Sequence, residues 1–172
     1  AGQPFDPDRI RLFETLFSAL RDTFVERRPA PARAGEANST LAFFEAYFSN
    51  FIEGTEFTVE EAAEIIFEGV IPQERPADAH DVLGTFRVVS DLGHLKVLPS
   101  DFATFRDLLR QRHATVMEAR PDKAPGAFKE RENRAGNTVF VAPDLVDGTL
   151  ERGFEFLRAL DDPFQRAVYM MV

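Results

Sequence analysis

Residues 41–61 read LAFFEAYFSNFIEGTEFTVEE. Leu41, Phe44, Tyr47, Phe48, Phe51 and Ile52 recur at intervals of three and four, the spacing of one side of an α-helix, and predict a buried stripe. Gly54 is placed to stop that helix, because glycine enters the left-handed backbone region without steric cost. Thr58-x-x-Glu61 then has the form of a capping box, in which the hydroxyl and the carboxylate each satisfy a backbone N–H at a helix start. It predicts a helix that buries Val59, Ala62, Ala63, Ile65 and Ile66 and closes at Gly69 and Pro72. Helix, stop and helix within thirty residues points to an α-helical class.

The flanks extend the pattern. Asp6-Pro7 supplies an N-cap and a proline at the first helical position, and Ile10, Phe13, Leu16, Phe17, Leu20 and Phe24 follow at helical spacing. That helix is expected to stop near Arg28, ahead of Pro29, and residues 29–38 have the Pro, Ala and Gly content of a linker. The next helix is expected to start after Ser39 or Thr40. The expected organisation is therefore an N-terminal helix and linker over 1–38 and a core over 39–172, compact as one domain.

Downstream, Asp78 to Asp91 predicts a helix carrying Val82, Leu83, Phe86 and Val89, and Ser100-Asp101 opens another with Phe102, Phe105, Leu108, Leu109, Val116 and Met117 facing inward. Residues 120–144 break this periodicity with Pro121, Pro125, Gly126, Gly136 and Pro143. Within them, runs over 127–132 and 137–142 joined by a turn at 134–137 predict a short hairpin. Asp144 is expected to cap a helix through Leu145, Val146, Leu150, Phe154, Leu157 and Leu160. Asp162-Pro163 starts a last one with Phe164, Ala167, Val168 and Met171, and the absence of a stop signal predicts that this helix continues past Val172. The expected fold is mainly α with one short β-hairpin.

Composition removes several classes of function. The 172 residues are 44% hydrophobic and 28% charged, ordinary for a folded domain, and eighteen Phe with no Trp point to a core of phenyl rings. A net charge of −9 repels a phosphate backbone at long range, so no nucleic-acid partner is expected. No apolar run is long enough for a membrane helix, and with no cysteine there is no disulfide framework; a cytoplasmic setting is the expectation. His80, His94 and His113 lack metal-site spacing, and no metal ligand set is expected. His113, on a helix beside Leu109 and Val116, reads from its type as a hydrogen-bonded core residue and not a base.

Three segments, in order, resemble Fic proteins, which typically transfer AMP from ATP onto protein hydroxyls. Ser49-Asn50-Phe51-Ile52-Glu53-Gly54 resembles the Ser/Thr-x-x-x-Glu-Gly/Asn inhibitory motif of that family. Pro125-Gly126-Ala127-Phe128-Lys129, with Asn137-Thr138-Val139-Phe140-Val141-Ala142-Pro143, resembles the flap that docks the target. Asp162-Pro163-Phe164-Gln165-Arg166-Ala167 resembles the helix that leads into the catalytic loop. The likeness covers roughly residues 40–172, and the run His-x-Phe-x-Asp/Glu-Gly-Asn-Gly-Arg does not occur in the chain.

The resemblance implies a Fic-like helical bundle, truncated before its catalytic loop. It implies a transferase in the intact protein that uses ATP and Mg and acts on an exposed, hydroxyl-bearing loop of a protein substrate. It places no catalytic residue in these 172 residues and implies that the isolated chain binds neither ligand and is inactive. Glu53 would act as a brake by pairing with an arginine that otherwise holds the ATP γ-phosphate, and Ser49, four residues earlier on the same helical face, would support it. Phe128, Lys129, Thr138, Val139, Phe140 and Val141 would form the docking flap, where a strand edge takes an extended peptide through main-chain hydrogen bonds. By residue type alone, Glu53 is a solvated helix-end acid, Gly54 a C-cap and the hairpin a connection. A second reading is a non-enzymatic α-helical module binding a peptide through the 127–142 hairpin. A homo-oligomer stays open, as does the role of the first helix.

Overall fold

The computed structural model describes residues 2–26, 29 and 34–171. In chain order the α-helices are α1 (Pro7–Arg21), α2 (Gly35–Ile52), α3 (Val59–Ala63), α4 (Pro76–Ser90), α5 (Leu92–Leu95), α6 (Phe102–Val116), α7 (Val146–Ala159) and α8 (Pro163–Tyr169). Strands β1 (Arg134–Ala135) and β2 (Thr138–Val139) pair antiparallel between α6 and α7. The chain is thus mainly helical with one short hairpin, as the sequence predicts. Its contacts divide it into two compact units, Pro31–Ala127 and Ala1–Ala30 with Phe128–Val172. The first helix therefore shares a unit with the last 45 residues.

In the unit 31–127, α4 is the central helix, with α2 and α6 packed on it. The core gathers Phe43, Phe57, Ala62, Ile65, Ala79 and Val82, with Tyr47, Ile66, Leu83 and Phe86 around them. The capping box forms as expected: Glu61 N–H donates to Thr58 Oγ1 (3.2 Å) and Thr58 N–H to Glu61 Oε2 (2.7 Å). Those bonds favour the charged form, so the Glu61 carboxyl is held below its ordinary range. Ala62 and Ile65 are buried as predicted, but Val59 is exposed. After α3 the helix widens into a π-helical turn, Glu64–Glu68, which ends at Gly69. Asp101 caps α6 by accepting from the Thr104 N–H (2.8 Å). Gly84 marks the closest approach of α4 to α6, since a Cβ there would stand 2.7 Å from the Val116 carbonyl oxygen and 2.8 Å from its Cα.

Two expectations for α2 are corrected. It begins at Gly35, ahead of Ser39, without a side-chain cap bond. Its buried side is Ala42, Phe43, Ala46 and Asn50, while Phe44, Phe48, Phe51 and Ile52 are exposed. Both sets repeat at three and four, and the set with small residues wins because it lets α2 lie close on α4. Elsewhere α4 starts two residues early, at Pro76, and the short α5 arises because Asp91 accepts from the His94 N–H (2.9 Å).

In the other unit, α1 packs on α7 and α8. Asp6 caps α1 through the Asp8 and Arg9 N–H groups, and its own N–H donates to Thr149 Oγ1 (2.9 Å). The expected extension of α1 toward Arg28, itself outside the described residues, does not occur. Gln165 Nε2 donates to the carbonyls of Leu20 (2.7 Å) and Thr23 (3.1 Å), groups that a continuing helix would use for itself, and Phe24 is exposed. Asp162 caps α8 as predicted, yet the buried residues of α8 are Gln165 and Tyr169; Phe164, Ala167 and Met171 are exposed. Asp144 makes no cap bond, because a 3₁₀ turn, Pro143–Leu145, precedes α7.

The hairpin is smaller than predicted and shifted. Arg134 pairs with Val139 and Ala135 with Thr138 across a Gly136-Asn137 loop, so the strands begin where a turn is expected and residues 127–132 form no strand. A two-residue loop starts the ladder at once, and residues 130–140 are all exposed, so no buried face extends it.

Gly84→Ala is expected to lower stability by about 1–3 kcal/mol in urea unfolding, because a backbone neighbour cannot yield as a side chain does. Tyr169 gives a pH test. Its ring is buried, its hydroxyl donates to the Gly153 carbonyl (3.0 Å), and burial raises the phenol above its usual value. The unfolded chain therefore loses this proton first, and the contribution present below pH about 10 fades above it. Tyr169→Phe is expected to cost about 0.5–1.5 kcal/mol at pH 7, with the gap to wild type narrowing as pH rises above about 10.

Candidate functional site

The last two turns of α2 are pinned from several directions. Asn50 is buried, and its Nδ2 donates to the Ala46 carbonyl (2.9 Å) and to Thr85 Oγ1 on α4 (3.1 Å), while the Thr85 hydroxyl donates to the Asp81 carbonyl (2.9 Å). The Tyr47 hydroxyl donates to the Phe57 carbonyl (3.2 Å), holding the segment after the helix. Gly54, at φ +94°, closes the end: Gly54 N–H donates to the Phe51 carbonyl (3.0 Å) and Thr55 N–H to that of Asn50 (2.9 Å). That pair of bonds is a Schellman motif, and it needs a residue that tolerates positive φ.

Against this frame Ser49 and Glu53 stand exposed on one side of the helix end. Neither side chain makes a hydrogen bond or ion pair among the described residues. The sequence motif thus separates into an inner part, Asn50 and Gly54, that builds the turn, and an outer part, Ser49 and Glu53, that meets solvent.

A charged network unforeseen from the sequence borders the site. Arg120, just past α6, donates through Nε to both Asp81 oxygens (2.9 and 2.7 Å) and through Nη2 to Asp78 Oδ1 (3.0 Å). Asp78 Oδ2 also accepts from Arg75 Nε (3.1 Å), and the Arg75 guanidinium lies 4.2 Å from the centre of the Phe57 ring. Two carboxylates beside it push the Arg120 guanidinium still further above its ordinary range. The Asp78-x-x-Asp81 spacing on a helix was the signal available for it.

The residues expected to form a flap lie in the other unit. Of the six, Thr138 and Val139 are on β2 and exposed, Phe140 follows it, and Val141 is beyond the pairing. Phe128 and Lys129 lie in irregular chain outside the hairpin, a correction that follows from its short register. Lys129 Nζ donates to Asn133 Oδ1 and sits 5.7 Å from the Phe140 ring centre, so it folds back on its own loop. His113 accepts the Gly126 N–H at Nδ1 (2.9 Å), and Arg110 Nε donates to the Gly126 carbonyl (2.7 Å); both hold the turn after α6. Among the described residues no three His, Cys, Asp or Glu groups converge as a metal site, and no helix is long and apolar enough to cross a membrane.

Comparison with family models, with curated proteins and with solved structures finds no match to the chain.

The division of the motif is testable by urea unfolding. Asn50→Ala is expected to lose about 1–3 kcal/mol, since Thr85 loses its donor and a buried site is emptied. Ser49→Ala and Glu53→Ala are expected to stay within about 0.5 kcal/mol of wild type, as exposed positions without partners.

Proposed function

We propose that the chain is the regulatory and target-facing part of a Fic-type protein AMP transferase, with Glu53 as its brake. The observation that carries this reading is Glu53 itself: an exposed carboxylate without a partner among the described residues, on a helix end pinned by Asn50, Tyr47 and Gly54. The order of the three resembling segments supports it. A carboxylate so placed is preorganised to accept a two-pronged, charge-assisted pair from an arginine.

Beside the site, Arg75 and Arg120 are taken up by Asp78 and Asp81, and among the described residues no three His, Cys, Asp or Glu groups converge on a cation. This reading assigns nucleotide and metal to sequence outside the 172 residues and gives the chain restraint and target docking. The substrate is a protein loop bearing a hydroxyl, which would lie along the exposed β2 edge at Thr138 and Val139. The setting is cytoplasmic.

The reading requires His-x-Phe-x-Asp/Glu-Gly-Asn-Gly-Arg within about 20 residues after Val172 in the gene; its absence there overturns the enzyme assignment. In the intact protein, Glu53→Gly is expected to raise labelling by radioactive ATP about 10- to 150-fold, the equivalent of losing one hydrogen-bonded charge pair. Unchanged labelling in a folded variant counts against the brake. The isolated chain is expected to give none.

A further inference from the structure

A ladder of aromatic rings on and beside α2, passing through the buried Phe43, is not used by the brake reading. Ring contacts run without a break from Phe67 to Phe43 (5.6 Å between centres), Phe43 to Phe44 (5.1 Å), Phe44 to Phe48 (6.0 Å), Phe48 to Tyr47 (5.2 Å) and Tyr47 to Phe51 (5.9 Å). Four of these rings face solvent, Phe44 at 39%, Phe48 at 53%, Phe51 at 45% and Phe67 at 57%. A contiguous aromatic surface of this kind is what protein partners bury, and phenyl rings scattered singly would carry no such meaning.

Charge says what kind of partner. Residues 41–70 hold seven glutamates and no lysine, arginine or histidine. Arg75, the next cation along the chain, is already held by Asp78 and the Phe57 ring. An apolar strip in an anionic field selects an element with an apolar stripe and cationic flanks. From Phe44 to Phe51 the helix advances about 10 Å, two turns, which matches apolar anchors at i, i+3, i+4 and i+7 on a docking helix. A second copy of the chain is a poor occupant, because each copy brings the same anionic strip and a net charge of −9.

We propose that the Phe44–Phe48–Phe51 face of α2 is a docking surface for a cationic amphipathic helix of a separate partner protein. This inference stands on the ladder and the charge count and does not depend on the transferase reading.

The test uses the 172-residue chain and a designed 18-residue amphipathic helix with Leu at i, i+3, i+4 and i+7 and Lys or Arg elsewhere, followed by calorimetry without nucleotide. Expected are binding, a loss of at least tenfold with Phe48→Ser, a similar loss with Phe51→Ser, and at least threefold weakening between 50 and 500 mM salt. Circular dichroism of each variant checks the fold, and the two substitutions give independent readings. No binding overturns the proposal. So does equal binding to both variants, or equal binding of a non-amphipathic lysine peptide of the same charge. Sedimentation showing a dimer that Phe48→Ser dissociates would make the occupant a second copy, and failure of the peptide to bind a longer product extending past Val172 would make it the chain's own sequence; either overturns it.

Discussion

Asn50 sets how α2 lies on α4, and the presentation of every exposed residue on α2 follows from it. A buried amide costs free energy unless its hydrogen bonds are made. Here the amide donates to Thr85 on α4 and to the Ala46 carbonyl of its own helix. Ala46 and Ala42, one and two turns earlier on the same side, let the backbones come near enough for that contact. Turning α2 by one residue would bring Phe44, Tyr47 and Phe51 against α4, push the axes apart and leave Thr85 without its donor. One polar contact thus fixes which aromatic residues are core and which are surface.

α4 can serve α2 on one side because its other side is fixed just as firmly. Gly84 lets the backbone of α6 approach without an intervening side chain, and Arg120 reaches back from beyond α6 to Asp78 and Asp81. These carboxylates are partly buried, so the pairing is less screened than at an open surface, but the ions also lose hydration. Its firmest consequence is geometric. It ties the end of α6 to the first turns of α4, and through Arg75 it reaches the Phe57 segment that receives the end of α2.

What was legible in the sequence follows the range of the interactions. Asp6, Thr58 with Glu61, Asp101 and Asp162 announce their helices because a cap joins residues two or three apart. The class, mainly helical with one hairpin, is therefore readable. The buried face of α2 is not, since two stripes share the same period and the choice lies with a helix 35 residues away in sequence. The length of α1 escapes for the same reason, as Gln165 takes its last carbonyls from 145 residues away. The short hairpin register depends on a two-residue loop that the polar stretch around it does not single out.

The candidate site divides along the same line. Gly54 as a helix stop is local and visible, and Ser49 and Glu53 on one face follow from a spacing of four. Asn50, the variable position beside Ser49 in the motif, escapes notice because its importance appears only where it meets Thr85. Gly54 has a complete explanation in the geometry of the helix end, so its presence adds nothing to a regulatory reading. Glu53 has no such explanation: it caps nothing with its side chain, pairs with nothing among the described residues and sits on a rigid mount. A brake would therefore depend on one carboxylate and on the arginine it would have to meet.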